Sequence, residues 1–197
     1  MGNGNRPEEE TILFAVGGTS PAVLTETVWG LSCERPPVWP SRIIVLTTTT
    51  GRRCLRRDLF ETGMWQRLRE HIQAPSGRLL FGDTSDSIRV FPNATRTSDL
   101  DDISTPAESN TAADFILENL RQFANQPHTR LIFSVAGGRK TMSVLSALCL
   151  TMVGGSRDRL CHVLVNPPFD SPYLRPKFYF PDPAIDRYEA RMPDGET

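Results

Sequence analysis

Two segments of the chain follow one plan, in which a short apolar run ends at a pair of glycines and a second apolar run begins a few residues later. Residues 11–31 contain Gly17-Gly18, and residues 131–153 contain Gly137-Gly138. Short continuous apolar runs are typical of parallel strands that are covered on both faces. The plan therefore predicts two strand, glycine turn and helix units, which is the pattern of an α/β protein.

Apolar periodicity and helix-capping signals predict the remaining elements. Ser20 is a natural N-cap with Pro21 as the first helical residue, and Thr105 to Glu108 has the pattern of a capping box. The predicted strands cover residues 11–16, 42–47, 78–81, 88–91, 130–135, 159–165 and 177–180, and the predicted helices begin near residues 21, 52, 106 and 139. The expected fold is a Rossmann-like, mostly parallel sheet with helices on both faces. Residues 1–10 are expected to be a disordered tail, residues 11–180 one domain, and residues 181–197 a polar tail.

The totals exclude several classes of protein. The net charge of −1 gives no bulk attraction to duplex nucleic acid, so any anion site must be local. The four cysteines form no C-x-x-C pair, which favours reduced thiols over disulfides or zinc. Residues 99–102 are interpreted as a solvated acidic loop, and neither a metal nor another cofactor is predicted. No signal peptide or membrane-length apolar run is present, so a cytoplasmic protein without a membrane partner is expected.

An anion site is predicted where the second glycine turn leads into its helix. A helix that begins near Arg139 would present free N–H groups and a positive dipole end, and Arg139 and Lys140 add two charges. Only Lys140 and Lys177 of the 22 basic residues are lysine, so a lysine at this turn favours a phosphate contact. The alternative is a tight turn whose cations face water. The spacing fits neither a Walker A loop nor a dinucleotide fingerprint, so the anion is not identified.

A second basic cluster follows the threonine run that ends the strand at residues 42–47. Its arginines occupy the predicted first turns of a helix, where cations oppose the helix dipole, so an anion docking there would stabilise them. Arg52 lies nearest the strand end and is the expected contact. The alternative is a solvated basic face that is balanced by Asp58 and Glu61.

Four polar turns are expected to meet at one edge of the sheet. They are residues 17–20, 47–52 and 134–141, together with Asn166. Each follows a predicted parallel strand, and ligands of such folds bind beyond the carboxyl ends of the strands. Their coincidence predicts one polar site that favours anions.

These turns resemble the CARF (CRISPR-associated Rossmann fold) family. The resemblance lies in residues 17–21 with 25–26, in the threonine run and Gly-Arg-Arg of residues 47–53, in residues 134–142, and in residues 164–169. It covers roughly residues 11 to 180, and the Gly-Gly-Arg-Lys stretch is its most specific part.

The resemblance implies a homodimer that binds cyclic tetra-adenylate, an alarm signal of type III CRISPR systems, on its two-fold axis. Members called ring nucleases cleave this ring without a metal, by attack of a ribose 2′-hydroxyl on the neighbouring phosphate. Carried onto this chain, Lys140 would stabilise the transition-state charge, Ser20 and Thr19 would orient the phosphate, and Arg139 and Arg52 would hold the backbone. The expected ligand-binding residues are Gly17, Gly18, Thr49, Thr50, Gly51, Arg52, Ala136, Gly137, Gly138, Arg139, Thr141 and Asn166.

Alternatives to a ring nuclease are a CARF sensor module that binds the ring and regulates a separate or removed effector, and an unrelated nucleotide-binding α/β protein. The chain ends near the end of the sensory fold, which favours the enzyme. Two Arg…His spacings, at residues 121–128 and 157–162, fit the HEPN ribonuclease motif but straddle loops, so we interpret them as chance. The three histidines are expected to be structural, and no general base is evident.

Overall fold

The computed structural model describes residues 9–124 and 126–190. Five parallel strands form one sheet in the order β3-β2-β1-β4-β5. The strands of this sheet are β1 Glu10–Val16, β2 Arg42–Thr47, β3 Ile88–Val90, β4 Thr129–Ser134 and β5 Arg159–Cys161. The helices are α1 Ala22–Ser32, α2 Thr49–Leu55, which continues as a π-helix over Arg56–Glu61, α3 Met64–His71, α4 Pro106–Ala124 and α5 Lys140–Val153. The predicted Rossmann-like α/β fold is confirmed.

Helices cover both faces of the sheet, because successive side chains of a strand point to opposite faces. Leu13 and its neighbours face α1, α2 and α3, whereas Phe14 and its neighbours face α4 and α5. Phe14 is fully buried and stacks on Phe133 of β4, with ring centroids 5.9 Å apart. Burial on both faces explains why β1 is a continuous apolar run.

The order of the strands places a topological switch point beside β1. From β1 the chain adds β2 and β3 on one side, and it then crosses over to add β4 and β5 on the other side. The connections after β1 and β4 therefore leave the sheet toward opposite faces and open a crevice between them. Ligands of such sheets bind in this crevice.

The predicted helix of residues 52–72 is wrong in its limits and in its continuity. It begins at Thr49, because Thr48 caps it by accepting a hydrogen bond from the Gly51 amide at 3.2 Å. It is then interrupted at Gly63, which has a φ of +71° that a regular helix does not contain.

Other limits also change. The strand predicted for residues 159–165 ends at Cys161, and residues 177–180 form no strand, although Phe180 is buried in the core. Helix α1 begins after Pro21 with no side-chain cap, so Ser20 is not its N-cap. The capping box before α4 is confirmed, because the Glu108 amide donates to the Thr105 hydroxyl at 3.2 Å and the Thr105 amide donates to the Glu108 carboxylate at 2.9 Å.

The C-terminal residues up to 190 pack on the domain rather than leaving it as a tail after residue 180. Two short strands, β6 Leu174–Arg175 and β7 Glu189–Ala190, pair antiparallel, and buried Asp182 binds Arg67 of α3 at 2.7 Å. The rest of both predicted tails, residues 1–8 and 191–197, lies outside the described residues. Within the described residues, no helix is long and apolar enough to cross a membrane.

Candidate functional site

The two glycine turns lie against each other where β1 and β4 end. A Cβ placed on Gly18 would come within 3.1 Å of the Gly138 Cα, and one on Gly137 would lie 2.4 Å from the Val16 carbonyl oxygen. Gly138 also has a φ of +77°, which side chains other than glycine rarely adopt. The glycines are therefore required for contact between the turns, in addition to the ligand access that the sequence predicts.

The threonine run fixes the third side of the crevice. The buried Thr47 hydroxyl donates to the Gly17 carbonyl at 2.9 Å, and the Gly17 amide donates to the Leu46 carbonyl at 2.9 Å. Gly51 lies so close that a Cβ there would be 2.0 Å from the Thr47 Oγ1. The end of β2 thus holds the first glycine turn in place.

These turns enclose a cavity of about 390 Å³ at the switch point, which we call the first cavity. That volume suits part of a nucleotide. It is lined by nine predicted site residues, Gly17, Gly18, Thr19, Ser20, Thr50, Ala136, Gly137, Gly138 and Arg139, and also by Val23, Thr48, Asp101, Asp102 and Met142. The predicted convergence of the turns after β1, β2 and β4 is therefore observed.

Arg139 provides the cationic wall of the first cavity, but a carboxylate already binds it. Its Nε donates to Asp102 at 2.9 Å, and its Nη2 donates to the second oxygen of the same carboxylate. The hydrogen bonds from Arg139 and from the Ile103 amide hold the pKa of Asp102 below its ordinary value. An anion that enters the cavity would therefore compete with Asp102 for this guanidinium.

The acidic loop before α4 is exposed to solvent, as interpreted, and its Asp101 and Asp102 also line the first cavity. Asp101 accepts a hydrogen bond from the Thr49 hydroxyl, and the Thr49 amide donates to the Leu100 carbonyl at 2.9 Å. These bonds bring Asp101 and Asp102 over the ends of β2 and β1. Thr49 therefore holds the loop and does not line the cavity.

We expect Asp102→Asn to bind inorganic phosphate about two- to fivefold more tightly than the unchanged protein. The substitution removes a carboxylate that competes for Arg139, and an exposed ion pair of this kind contributes little, so the gain is modest. Titration calorimetry at low salt measures it. Asp86→Asn, which changes the net charge equally at an exposed position away from the cavity, is the control. Equal affinity in both variants would contradict the competition.

Three of the four arginines of the basic cluster of α2 and the π-helix bind carboxylates within the chain. Arg52 and Arg56 both bind Asp83, with distances of 3.1 and 2.5 Å, and Arg57 binds Asp58 at 2.5 Å. Burial opposes the ionisation of Asp83, but the hydrogen bonds from both arginines keep its pKa low. Arg52 lines neither the first cavity nor the cavity that adjoins it. Asp83, rather than the expected Glu61, balances Arg52 and Arg56, so an anion that binds Arg52 as predicted would compete with Asp83.

The remaining four predicted site residues do not line the first cavity. Gly51 is buried beneath the cavity, and Lys140 and Thr141 are exposed in the first turn of α5. Lys140 forms no ion pair within residues 9–124 and 126–190. Asn166 is exposed beyond β5, and its carbonyl accepts a hydrogen bond from the Phe169 amide at 3.0 Å. Lys140 is therefore a free cation at the edge of the site.

A second cavity of about 860 Å³ adjoins the first and shares Thr19, Ser20 and Val23 with it. Glu26, one helical turn after Val23, lines this cavity and is partly buried. Burial raises the pKa of Glu26 to about 7, although the charge of Lys177 opposes the rise. The residues that line this cavity beside Glu26 include members of 163–179, which are distant from it in the chain. The sequence therefore carries no local signal that Glu26 is partly buried, and Glu26 enters the prediction only through the resemblance.

The described residues contain no cluster of three or more His, Cys, Asp or Glu side chains that could hold a metal ion. The groups available to a ligand at the first cavity are backbone amides, hydroxyls, Arg139 and the N-terminus of α5. These groups can bind and orient a phosphate and can stabilise negative charge on its oxygens.

The fold and the site define a doubly wound α/β protein with a crevice between two glycine turns at its switch point. Residues 20–195 match the sequence profile of a family described as CRISPR-associated protein NE0113. This match covers most of the chain, which therefore belongs to that CRISPR-associated family. No curated protein sequence is significantly similar to it.

Two solved structures are similar to the chain at low sequence identity. Protein VC1899 from Vibrio cholerae is 13% identical with a TM-score of 0.39, over 72% of this chain and 28% of that one. A structure described as a UDP-N-acetylglucosamine 2-epimerase from Listeria monocytogenes is 14% identical with a TM-score of 0.36, over 79% of this chain and 31% of that one. The chain thus spans less than a third of either protein.

Proposed function

We propose that the protein is a ring nuclease of type III CRISPR systems that binds cyclic tetra-adenylate between two copies of the chain and cleaves it without a metal. The family supports the CRISPR association of the protein. The resemblance of its turns to CARF proteins supports cyclic tetra-adenylate as the ligand. The observation that carries the proposal is the first cavity, where two glycine turns, the hydroxyls of Thr19 and Ser20, and the N-terminus of α5 surround a space suited to a phosphate.

The proposed cleavage is an in-line displacement at one phosphorus of the ring. The 2′-hydroxyl oxygen attacks the phosphorus and loses its proton, and the 5′-oxygen of the next nucleotide leaves and gains one. The products carry a 2′,3′-cyclic phosphate and a 5′-hydroxyl. Ser20 and Thr19 orient the phosphate, and Lys140 stabilises the charge that develops on its oxygens, so positioning and electrostatics supply the rate.

The exposed surface of α5 supports the proposed dimer. Val144, Leu148 and Met152 are spaced by four residues on one face, and 60%, 57% and 69% of their surfaces are exposed. This apolar stripe runs along the helix whose N-terminus forms part of the site. A partner seated on the stripe would bring a second copy of the first cavity close to the first, as a ring larger than one cavity requires.

The test is incubation of the purified protein with labelled cyclic tetra-adenylate, with and without EDTA, followed by separation of the products. Linear products with 2′,3′-cyclic phosphate ends, formed equally in EDTA, are expected. A ring that binds tightly and stays intact would instead identify a sensor module. A ring that does not bind would overturn the proposal.

We expect Leu148→Ala to weaken the dimer by about tenfold. Loss of a leucine side chain from an interface costs about 1.5 kcal/mol, and alanine leaves the helix itself intact. Sedimentation over a concentration series measures the dissociation constant. Leu80→Ala is the matched control, because Leu80 is 58% exposed and lies away from α5. Equal weakening in both variants, or a monomeric unchanged protein, would contradict an interface on this stripe.

A further inference from the structure

The second cavity differs in chemistry from the first. Its aromatic and aliphatic walls include Phe169, Phe178 and Val165, and its cations are matched by an equal number of carboxyl groups. The cations are Arg57, Arg175 and Lys177, and the carboxyls are Glu26, Asp58 and Asp170. A cavity with aromatic walls and charges of both signs does not favour a phosphate over a heterocycle that stacks on the walls and hydrogen-bonds the polar groups.

The two cavities adjoin each other, so a ligand that fills one could extend into the other. Thr19, Ser20 and Val23 line both cavities, at the start of α1 and the turn before it. A nucleotide whose phosphate lies on the glycine turns could therefore extend its base past these residues. The base of such a ligand would meet the aromatic walls of the second cavity.

Of the three carboxyls of this cavity, Asp170 is exposed to solvent and Glu26 is partly buried. Asp58 is occupied, because Arg57 binds it at 2.5 Å and Lys177 at 3.4 Å. In the part of the chain that the structure describes, the Glu26 carboxyl forms no hydrogen bond or ion pair. A partly buried carboxyl without a partner gains most from a ligand that can hydrogen-bond it.

We propose that the second cavity is a nucleobase subsite, in which the Glu26 carboxyl hydrogen-bonds the edge of an adenine while the adjoining phosphate occupies the first cavity. This inference rests on the proposed function, which supplies the adenine ligand. In this subsite the aromatic walls would exclude water from the base, and the Glu26 carboxyl would give a preference for adenine over other bases.

The protonated form of Glu26 matches adenine. A protonated carboxyl offers one donor and one acceptor, and the adenine edge offers an amino donor beside a ring-nitrogen acceptor, so two parallel hydrogen bonds can form. The pKa of about 7 makes this form available near neutral pH. Glutamine has the same donor and acceptor pattern and pairs with adenine in this way in other proteins.

Several charged and titratable groups face Glu26 across the cavity. Arg57 and Asp58 come from the π-helix, Asp170 and Lys177 from loops, Arg175 from β6, and Tyr179 from the segment after Lys177. Burial raises the pKa of Tyr179 to about 12. Burial opposes ionisation of Asp58, but its hydrogen bonds to Arg57 and Lys177 keep its pKa low. Neither group changes its charge near pH 7, where Glu26 does.

The experiment is calorimetric titration of the whole protein with adenosine, which has no phosphate and does not titrate near neutrality. If the protonated Glu26 carboxyl binds the base, the affinity for adenosine is constant below the pKa of Glu26 and falls as the pH rises through that pKa. We expect binding to be about tenfold weaker at about pH 8 than at about pH 6, with uptake of up to one proton at the higher pH. Glu26→Gln is expected to keep the acidic-limit affinity at both pH values.

Glu61→Gln is the matched control, because Glu61 is an exposed carboxyl outside both cavities, and its pH profile is expected to equal that of the unchanged protein. No adenosine binding, or a pH profile that Glu26→Gln leaves unchanged, would overturn the subsite.

Cyclic tetra-adenylate is the second probe. If it fails to bind while adenosine binds as expected, the proposed function falls and the subsite stands. If it binds with a pH-independent affinity that Glu26→Gln does not alter, the subsite falls and the proposed function stands.

Discussion

Gly137→Ala is expected to lower the free energy of unfolding by about 3 kcal/mol, near the upper end of the usual cost of overpacking. The new methyl group would lie 2.4 Å from the Val16 carbonyl oxygen, well inside van der Waals contact. Val16 ends the central strand β1, which pairs on both sides, so its backbone cannot move without disturbing β2 and β4. Urea unfolding, followed by circular dichroism, measures the change.

Gly30→Ala is the control for this prediction. Gly30 lies inside α1, and a Cβ there would have no neighbour within 4 Å. Alanine is a better helix former than glycine, so this substitution is expected to raise the free energy of unfolding by up to about 1 kcal/mol. Equal effects of the two substitutions would show that Gly137 is not constrained by the contact between the turns.

The sequence predicts the parts of the fold that depend on local patterns. β1, β2 and β4 are found within a residue or two of their expected limits, because strands buried on both faces need continuous apolar runs. The capping box of α4 depends on two side chains three residues apart, and it too is visible in the sequence. The convergence of the glycine turns follows from the rule that parallel strands share one carboxyl edge.

The contacts that give the site its charge are not local. Asp102 reaches Arg139 across 37 residues, and Asp83 reaches Arg52 across 31. Their loops contain no periodic pattern that would give their path, so the sequence predicts neither the contact of the acidic loop with Arg139 nor the pairing of Arg52 with Asp83. A lone arginine in a sequence has no visible partner, and only the fold shows whether its charge is already occupied.

The cations near the site differ in whether a carboxylate of the chain already binds them. Arg139 is held by Asp102, and Arg52 by Asp83, whereas Lys140 is unpaired within the described residues. A paired guanidinium must exchange a carboxylate for a phosphate, which reduces its net contribution to binding. A free ammonium at the start of α5 can move onto charge that develops during the reaction, and α5 adds its dipole.

Lys140→Ala is therefore expected to reduce the rate of ring cleavage by about 100- to 1,000-fold at saturating cyclic tetra-adenylate, as loss of one charge-stabilising group does in other enzymes. Binding is expected to change much less, because Arg139 and the glycine turns remain.

Lys140→Arg keeps the charge but replaces a compact ammonium with a planar guanidinium, so partial recovery of the cleavage rate is expected. Arg187→Ala, at a side chain that is 82% exposed, controls for the loss of one positive charge. Single-turnover rates and equilibrium binding, measured separately, distinguish the two effects. A Lys140→Ala variant that cleaves at the unchanged rate would remove this residue from the reaction and leave catalysis to positioning by the turns.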